Sequence, residues 1–434
     1  MNEALYQNYL NILKSELILA LGCTEPIAIA YASAKARAQL GVFPQRIEVY
    51  CSGNIVKNVK GVTVPNSGGL KGIDVAAVLG VVGGNEQKEL EVLSGITKEH
   101  IEKARDLIEH GFCQCFLEEG VENLYVRTVA FAGDHTASVT ILNHHAFIAE
   151  IKEDDKVVYE DHNHGHLSAD GVEVDKSLLS LKGILEFAEA VKIEDITPIL
   201  EKQVECNSAL ADEGLTGEYG AQVGRTMLEC FNNDVGTVAR IRAAAASDAR
   251  MGGCPLPAVI NSGSGNQGIT VSVPVIEYAR AWNLGEEKMY RALVISNLLS
   301  IHQKKYVGSL SAYCGAVSAA CGAGAAIMYL HGGDYDAIAR TITNTVANVG
   351  GIVCDGAKSS CASKIAAALE AAILAYHMSL NNRVFQPGEG IVQADVEDTI
   401  RSIGYVGNVG MKQTDIEILN IMLDKTDLSS YNIC

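Results

Sequence analysis

Apolar positions near the start of the chain recur at helical spacing. Leu5, Tyr9, Leu10, Leu13, Leu17 and Ile18 line one face of a helix over residues 4–20. The segment Gly22-Cys23-Thr24-Glu25-Pro26 breaks that pattern, and Pro26, suited to a first helical turn, opens an Ala-rich helix to about Leu40. From about residue 45 the period shortens. Alternation and β-branched content predict strands over Arg46–Cys51, Phe112–Leu117, Tyr125–Phe131, Ala137–Leu142, Ala146–Ile151 and Val157–Tyr159, with helices near 72–83 and 98–110. From about 175 onward the pattern is almost wholly helical, with Gly-rich breaks at 252–268, 331–333, 350–356 and 388–390.

This order predicts an α+β protein. A mainly helical domain is built from both chain ends, residues 1–44 and 172–434, and is interrupted by a smaller α+β domain, residues 45–171, that contributes to a substrate cleft. At 434 residues and 48% hydrophobic content the chain is long enough for two cores.

Composition narrows the function. The net charge of −18 argues against a nucleic-acid partner and against adhesion to anionic membranes. Mean hydropathy is slightly positive, but no run of about 18 uninterrupted apolar residues suggests a membrane span. Residues 1–20 carry Glu3, Lys14 and Glu16 rather than a clean apolar run behind a basic start, so the expectation is a cytoplasmic protein. Twelve unevenly spaced cysteines in a long chain read as reduced thiols, most of them small core residues and a few metal ligands.

The sharpest local feature is Cys354-Asp355-Gly356-Ala357-Lys358-Ser359-Ser360-Cys361, two thiols bracketing a Gly-containing turn, with Cys314 forty residues upstream. Three thiolates can hold three irons of a 4Fe–4S cluster and leave the fourth open as a Lewis acid. Three core cysteines, or a zinc site, are the other readings of this spacing; Cys321 reads as packing. Cys23 lies just before a helix start, where a thiolate is favoured, although Glu25 opposes that shift.

Several other segments carry candidate chemistry. Gly263-Ser264-Gly265-Asn266-Gln267-Gly268 matches GxGxxG, but the β-branched run Ile269–Val273 and Pro274 argue against the helix a dinucleotide site needs. Its backbone could hold a carboxylate, or it could be a turn between helices. Asp248 and Arg250, two residues apart at a helix end, could bind an ammonium and a carboxylate, or form a structural pair. His162, His164 and His166 alternate and read as a solvated loop or a metal site; Cys113 and Cys115 share a strand face and read as core.

At these residues the sequence resembles the L-cysteine desulfidase family, relatives of the iron–sulfur L-serine dehydratases. The likeness runs over nearly the whole chain and rests on Leu21–Pro26, Gly61–Pro65, Ala246–Gly253, Asn261–Gly268 and Cys354–Cys361 in that order. It implies a 4Fe–4S cluster on Cys314, Cys354 and Cys361, with Cys23 as catalytic base or displaceable fourth ligand. It implies a substrate site drawing on Asn54, Asn66, Asp248, Arg250, Ser262, Gly263, Ser264, Gly265 and Asn266. The implied reaction converts L-cysteine to pyruvate, ammonia and hydrogen sulfide by β-elimination through aminoacrylate, without pyridoxal phosphate. L-Serine is the alternative substrate, and a homodimer is plausible by analogy. Cys434 could cap the open iron or be an unused end. The competing classes are a pyridoxal phosphate lyase, for which Lys304 and Lys305 lack a phosphate-binding context, an iron–sulfur redox sensor or carrier, and a non-catalytic binding protein.

Overall fold

The computed structural model describes residues 1–161, 174–308 and 310–430. His162, His164, His166 and Cys434 lie outside the described residues. Helix α1 (Glu3–Glu16) leads into the short strand β1 (Leu19–Leu21) and helix α2 (Thr24–Leu40). The α+β segment follows as β2 (Arg46–Cys51), α3 (Gly53–Val59), α4 (Ile73–Gly83), α5 (Lys98–Glu109), β3 (Cys113–Leu117), β4 (Tyr125–Ala132), β5 (His135–Leu142), β6 (Ile148–Glu153) and β7 (Lys156–Glu160). The rest is helical apart from β8 (Pro257–Val259). Its helices are α6 (Leu181–Ala190), α7 (Ile193–Thr216), α8 (Val223–Cys230), α9 (Val235–Met251), α10 (Gly265–Ala281), α11 (Gly285–Val307), α12 (Gly315–His331), α13 (Tyr335–Val349), α14 (Cys361–Leu380), α15 (Val396–Tyr405) and α16 (Lys412–Met422). The mixed α+β class read from the hydrophobic pattern is the class observed.

Two apolar cores result. In the first, α12 runs through the middle, buried on every side, among α10, α11, α13 and α14. Its Ala and Gly residues allow that position, because small side chains let neighbouring backbones come close. The second core lies under a six-stranded sheet of order β3-β2-β4-β5-β6-β7, parallel between β2 and β3 and antiparallel elsewhere. Ile47, Val49 and Cys51 of β2, Val126, Thr128 and Ala130 of β4, and Ala137, Val139 and Ile141 of β5 are its buried alternate positions. The sheet's cover is α2, whose Ile27, Ile29, Ala30, Ala32, Ala34 and Ala36 belong to this second cluster. Thus α2 packs with the sheet, although it falls in the 1–44 segment grouped with the helical part on sequence grounds.

Three further expectations need correction. Strand β6 begins at Ile148 rather than Ala146, because residues 144–147 turn first. The run Ile269–Val273 is helical: tertiary packing overrides its β-branched preference, and Pro274 lies inside α10. Of the two cysteines on the edge strand β3, half-buried Cys113 packs against the second core but Cys115 is exposed, with their sulfurs 3.8 Å apart. Cys321, by contrast, is fully buried in α12.

Helix α4 crosses α2 at Gly80, where a Cβ would stand 2.3 Å from the carbonyl oxygen of Ala30. Gly80→Ala should therefore destabilise the protein by about 1–3 kcal/mol through overpacking, although alanine is the better helix former by about 1 kcal/mol. Urea unfolding measures this. An alanine variant as stable as the parent would show that the two helices can separate without cost.

Candidate active site

The strands β1 and β8 pair antiparallel, Leu19 opposite Val259 and Leu21 opposite Pro257. This ribbon brings the turn that carries Cys23 and the loop that carries Ser262–Asn266 to one place, and the Thr24 hydroxyl ties them by donating to the Gly263 carbonyl at 2.8 Å. A second tie assembles the thiols. The backbone N–H of Cys314 donates to Ile352 (3.0 Å) and that of Cys354 to Ala312 (2.6 Å), around a Tyr313–Val353 bridge. Cys361 then returns at the start of α14. The loop between them turns at Gly356, with φ +94° and a Cβ position 2.3 Å from the Lys57 carbonyl oxygen, where only glycine fits. Asp355 fastens the same loop through Lys358 and Lys364. Burial pushes its carboxyl up, yet these two lysines hold it down at about 2.

One cavity of about 100 Å³ collects these groups. Cys23, Cys314, Cys354 and Cys361 line it together with Arg250, Ser262, Gly263, Ser264 and Asn266. Four helix starts face it: Cys23 is the N-cap of α2, Ser264 of α10 and Cys314 of α12, and Cys361 is the first residue of α14. Their dipoles favour negative charge there. Gly265 stands behind Arg250, a Cβ there falling 2.1 Å from Nε, so the glycine makes room for the guanidinium.

Four of the expected site residues do not line the cavity, Gly265 among them because it stands behind Arg250. The Asn66 amide donates to the Leu93 carbonyl at 3.0 Å. Asn54 lies in the first turn of α3, with Oδ1 buried and unbonded. Asp248 turns away to the start of α8, where Oδ2 accepts the Gly224 N–H at 3.0 Å. Glu25, Asn58, His145, Gln267 and Lys304 line it instead and were not expected. Glu25 lies inside the Leu21–Pro26 stretch, where the sequence marks it only as a neighbour of Cys23. Asn58 belongs to a helix that the hydrophobic pattern did not reveal, and nothing local separates His145 from a surface histidine.

The Cys23 thiol donates to Glu25 Oε2 at 3.0 Å. Burial, then the Glu25 charge, raise it well above the ordinary cysteine range, while Arg250 pulls the other way. Cys23 therefore rests as a thiol and not as the thiolate favoured by its helix-start position alone. Glu25 is buried too, which would raise its carboxyl, but His145 and the Cys23 thiol hold it at about 2. Cys314 is pushed up to about 12 by burial and then by the neighbouring Cys354 and Cys361. A cation at the centre of the three thiols would reverse that penalty and release their protons.

Among the described residues, no three His, Cys, Asp or Glu side chains close on one point as a single metal ion requires. The donor set suits a larger group: three thiols around a shared cavity at helix starts, with Lys304 beside them. An iron–sulfur cluster held by three thiolates fits it.

These features define a mixed α+β protein with a buried, cation-bearing site ringed by thiols. The serine dehydratase alpha chain family model matches residues 87–420. The chain is 50% identical over 422 residues to a UPF0597 protein of Desulfitobacterium hafniense, covering 97% of each. It is 50% identical over 420 residues to one of Lachnoclostridium phytofermentans (97% of this chain, all of the relative), and 47% identical over 420 residues to one of Finegoldia magna (96% and all). The chain belongs to the serine dehydratase alpha chain family, and that membership points to a lyase of the serine dehydratase type. Among the described residues no helix is long and apolar enough to cross a membrane.

Asp248 gives a pH test of its structural place. Burial raises its carboxyl to about 6, against bonds from the backbone N–H groups of Gly224, Val223 and Ala221. The folded state thus binds this proton more tightly than the unfolded one, whose carboxyl titrates near 4. Stability from this group is full below about pH 4 and is lost as pH rises through about 6. Asp248→Asn should therefore gain on the parent protein in urea melts between pH 4 and pH 7. A gap that stays constant across that range would mean that Asp248 ionises freely in the fold.

Proposed function

We propose that the protein is a cytoplasmic iron–sulfur lyase that converts L-cysteine to pyruvate, ammonia and hydrogen sulfide, independently of pyridoxal phosphate. The observation that carries this reading is Arg250. Its guanidinium is 2% exposed and lines the thiol-ringed cavity, and Nε has no hydrogen-bond partner. No carboxylate of the described residues pairs with it. A buried guanidinium left without an anion is costly, and the carboxylate of a small substrate would relieve that cost. The five stretches of resemblance favour L-cysteine. The description of the matching family favours L-serine as the second reading.

A 4Fe–4S cluster on Cys314, Cys354 and Cys361 would supply an open iron, a Lewis acid for the departing β-substituent. Arg250 would hold the α-carboxylate, with Ser264 and Asn266 at the start of α10 beside it. Cys23 and Glu25 would handle the proton. The thiol points its proton at the carboxylate, so Cys23 can accept the Cα proton only after its own has been passed on. Loss of sulfide from the β-carbon then leaves aminoacrylate, which water converts to pyruvate and ammonia. The helices packed round the cavity keep bulk water from the reacting atoms.

Under anaerobic conditions, iron-loaded protein should form pyruvate and sulfide from L-cysteine faster than pyruvate from L-serine; the reverse order would make it a serine dehydratase. Serine at Cys314, Cys354 or Cys361 should strip iron and abolish activity, and full iron content in the triple variant would refute the ligand assignment. Arg250→Ala should keep its iron and lose about 1.5–3 kcal/mol of substrate binding, read as kcat/KM. Cys23→Ser should retain iron and fall in turnover by about 10²–10⁴-fold; near-parental turnover would remove Cys23 from the chemistry.

A further inference from the structure

The cavity contains a second buried charge, Glu25, which is a carboxylate before any proton moves and to which the reaction outlined above gives no contact with the substrate. Glu25 is 8% exposed. Two donors reach its carboxylate, and both are neutral: the Cys23 thiol at 3.0 Å and the Asn58 amide at 3.1 Å; the Thr24 hydroxyl lies 3.2 Å away, with its proton on the Gly263 carbonyl. The nearest cationic candidate is His145, whose Nε2 stands 3.9 Å from Oε1: close enough to favour the carboxylate form of Glu25, too far for a hydrogen bond to it, so that Nε2 itself has no hydrogen-bond partner. No lysine or arginine of the described residues is within ion-pair distance of Glu25.

Arg250 lines the same cavity and has no carboxylate. The two opposite charges do not meet, and Cys23 is within electrostatic reach of both. Evolution of a stable fold alone would bring them together or remove both, because a separated buried pair bears two desolvation costs without the attraction that offsets them. A small molecule that carries a cation and an anion a few bonds apart satisfies both at once.

We propose that Glu25 is the residue that receives the substrate's α-ammonium group, opposite Arg250 on the carboxylate, so that the site selects α-amino acids over carboxylic acids that lack the amine. This rests on the lyase reading above and adds the recognition element to it. It also moves the ammonium contact from Asp248, whose carboxylate is committed to the start of α8, to a side chain on α2. A cavity with Arg250 alone would accept 2-hydroxy acids and simple mercapto acids as readily as amino acids. With Glu25 opposite, an uncharged or anionic group at the α-position leaves a buried carboxylate facing it unmatched.

The test compares two ligands on iron-loaded protein by anaerobic calorimetry at low temperature: L-cysteine, and 3-mercaptopropionate, which keeps the thiol and carboxylate and lacks the ammonium. In the parent protein L-cysteine should bind about 10- to 100-fold more tightly, the range expected for one charged hydrogen-bonded contact. In Glu25→Gln that advantage should shrink to within about threefold, while 3-mercaptopropionate binds as before or better. Equal weakening of both ligands would assign Glu25 a structural role, and a preserved advantage would place the ammonium elsewhere; either overturns the proposal. Glu25→Asp keeps the charge and should retain part of the discrimination, which guards against a glutamine variant that fails to load iron. Binding is read without turnover. A parent protein that binds L-cysteine but forms no pyruvate from any β-substituted amino acid would therefore sink the lyase reading and leave this one standing.

Discussion

Burying a guanidinium and a carboxylate in one small cavity without joining them is expensive, and the centre of this molecule is arranged around that cost. Arg250 comes from the end of α9 and Glu25 from the first turn of α2. Each is placed by contacts unrelated to the other. Gly265 clears the space for Arg250, and Asn58 and Cys23 supply neutral donors to Glu25. Four helix starts face the same volume and bias it toward anions, so the fixed field there is positive apart from Glu25 itself. Three thiols complete the wall, those of Cys314 and Cys361 with their proton affinity raised by burial and by the neighbouring Cys354. All of these groups are stable as they stand only if something fills the space between them.

The scaffold achieves this with two short backbone ties rather than with long elements. The ribbon of β1 and β8 is three residues wide on each side, and the bridge between Tyr313 and Val353 is a single pair. Both join segments far apart in the chain: residues near 20 with residues near 258, and residues near 313 with residues near 353. The long helices then act as rigid supports, each presenting its N-terminal end. A mutation that lengthened either loop would move a thiol or a charge while leaving the helices intact.

Much of this was legible from residue order, and the exceptions have physical causes. The amphipathic α1 and the strands β2, β4 and β5 follow from periodicity, because each is half-buried and its polar face marks the period, whereas α2, buried on nearly all sides, follows from Pro26 and its Ala-rich run. The trio Cys314, Cys354 and Cys361 stood out by spacing and resemblance, and the fold does bring it to one cavity. The short helix α3 carries too few turns to show a period. Helix α10 was hidden because it is buried on nearly all sides, so its β-branched residues reflect packing rather than extended backbone. Asp248 and Arg250 look like partners in sequence, yet two residues along a helix is a rotation of about 200°, so their side chains leave on nearly opposite faces. His145 and Lys304 carry no local mark at all; only the fold brings them to the cavity.

The cavity wall is drawn from both cores. Glu25, Asn58 and His145 come from elements packed with the sheet, and Arg250, Lys304 and the three clustered thiols from the helical bundle. Whatever occupies the space touches both, and so acts as mortar between them. By mass action a ligand at a hundred times its dissociation constant adds about 2.7 kcal/mol to that junction. An empty cavity lacks that contribution, so the same ligand that the site recognises also adds to the cohesion of the two cores.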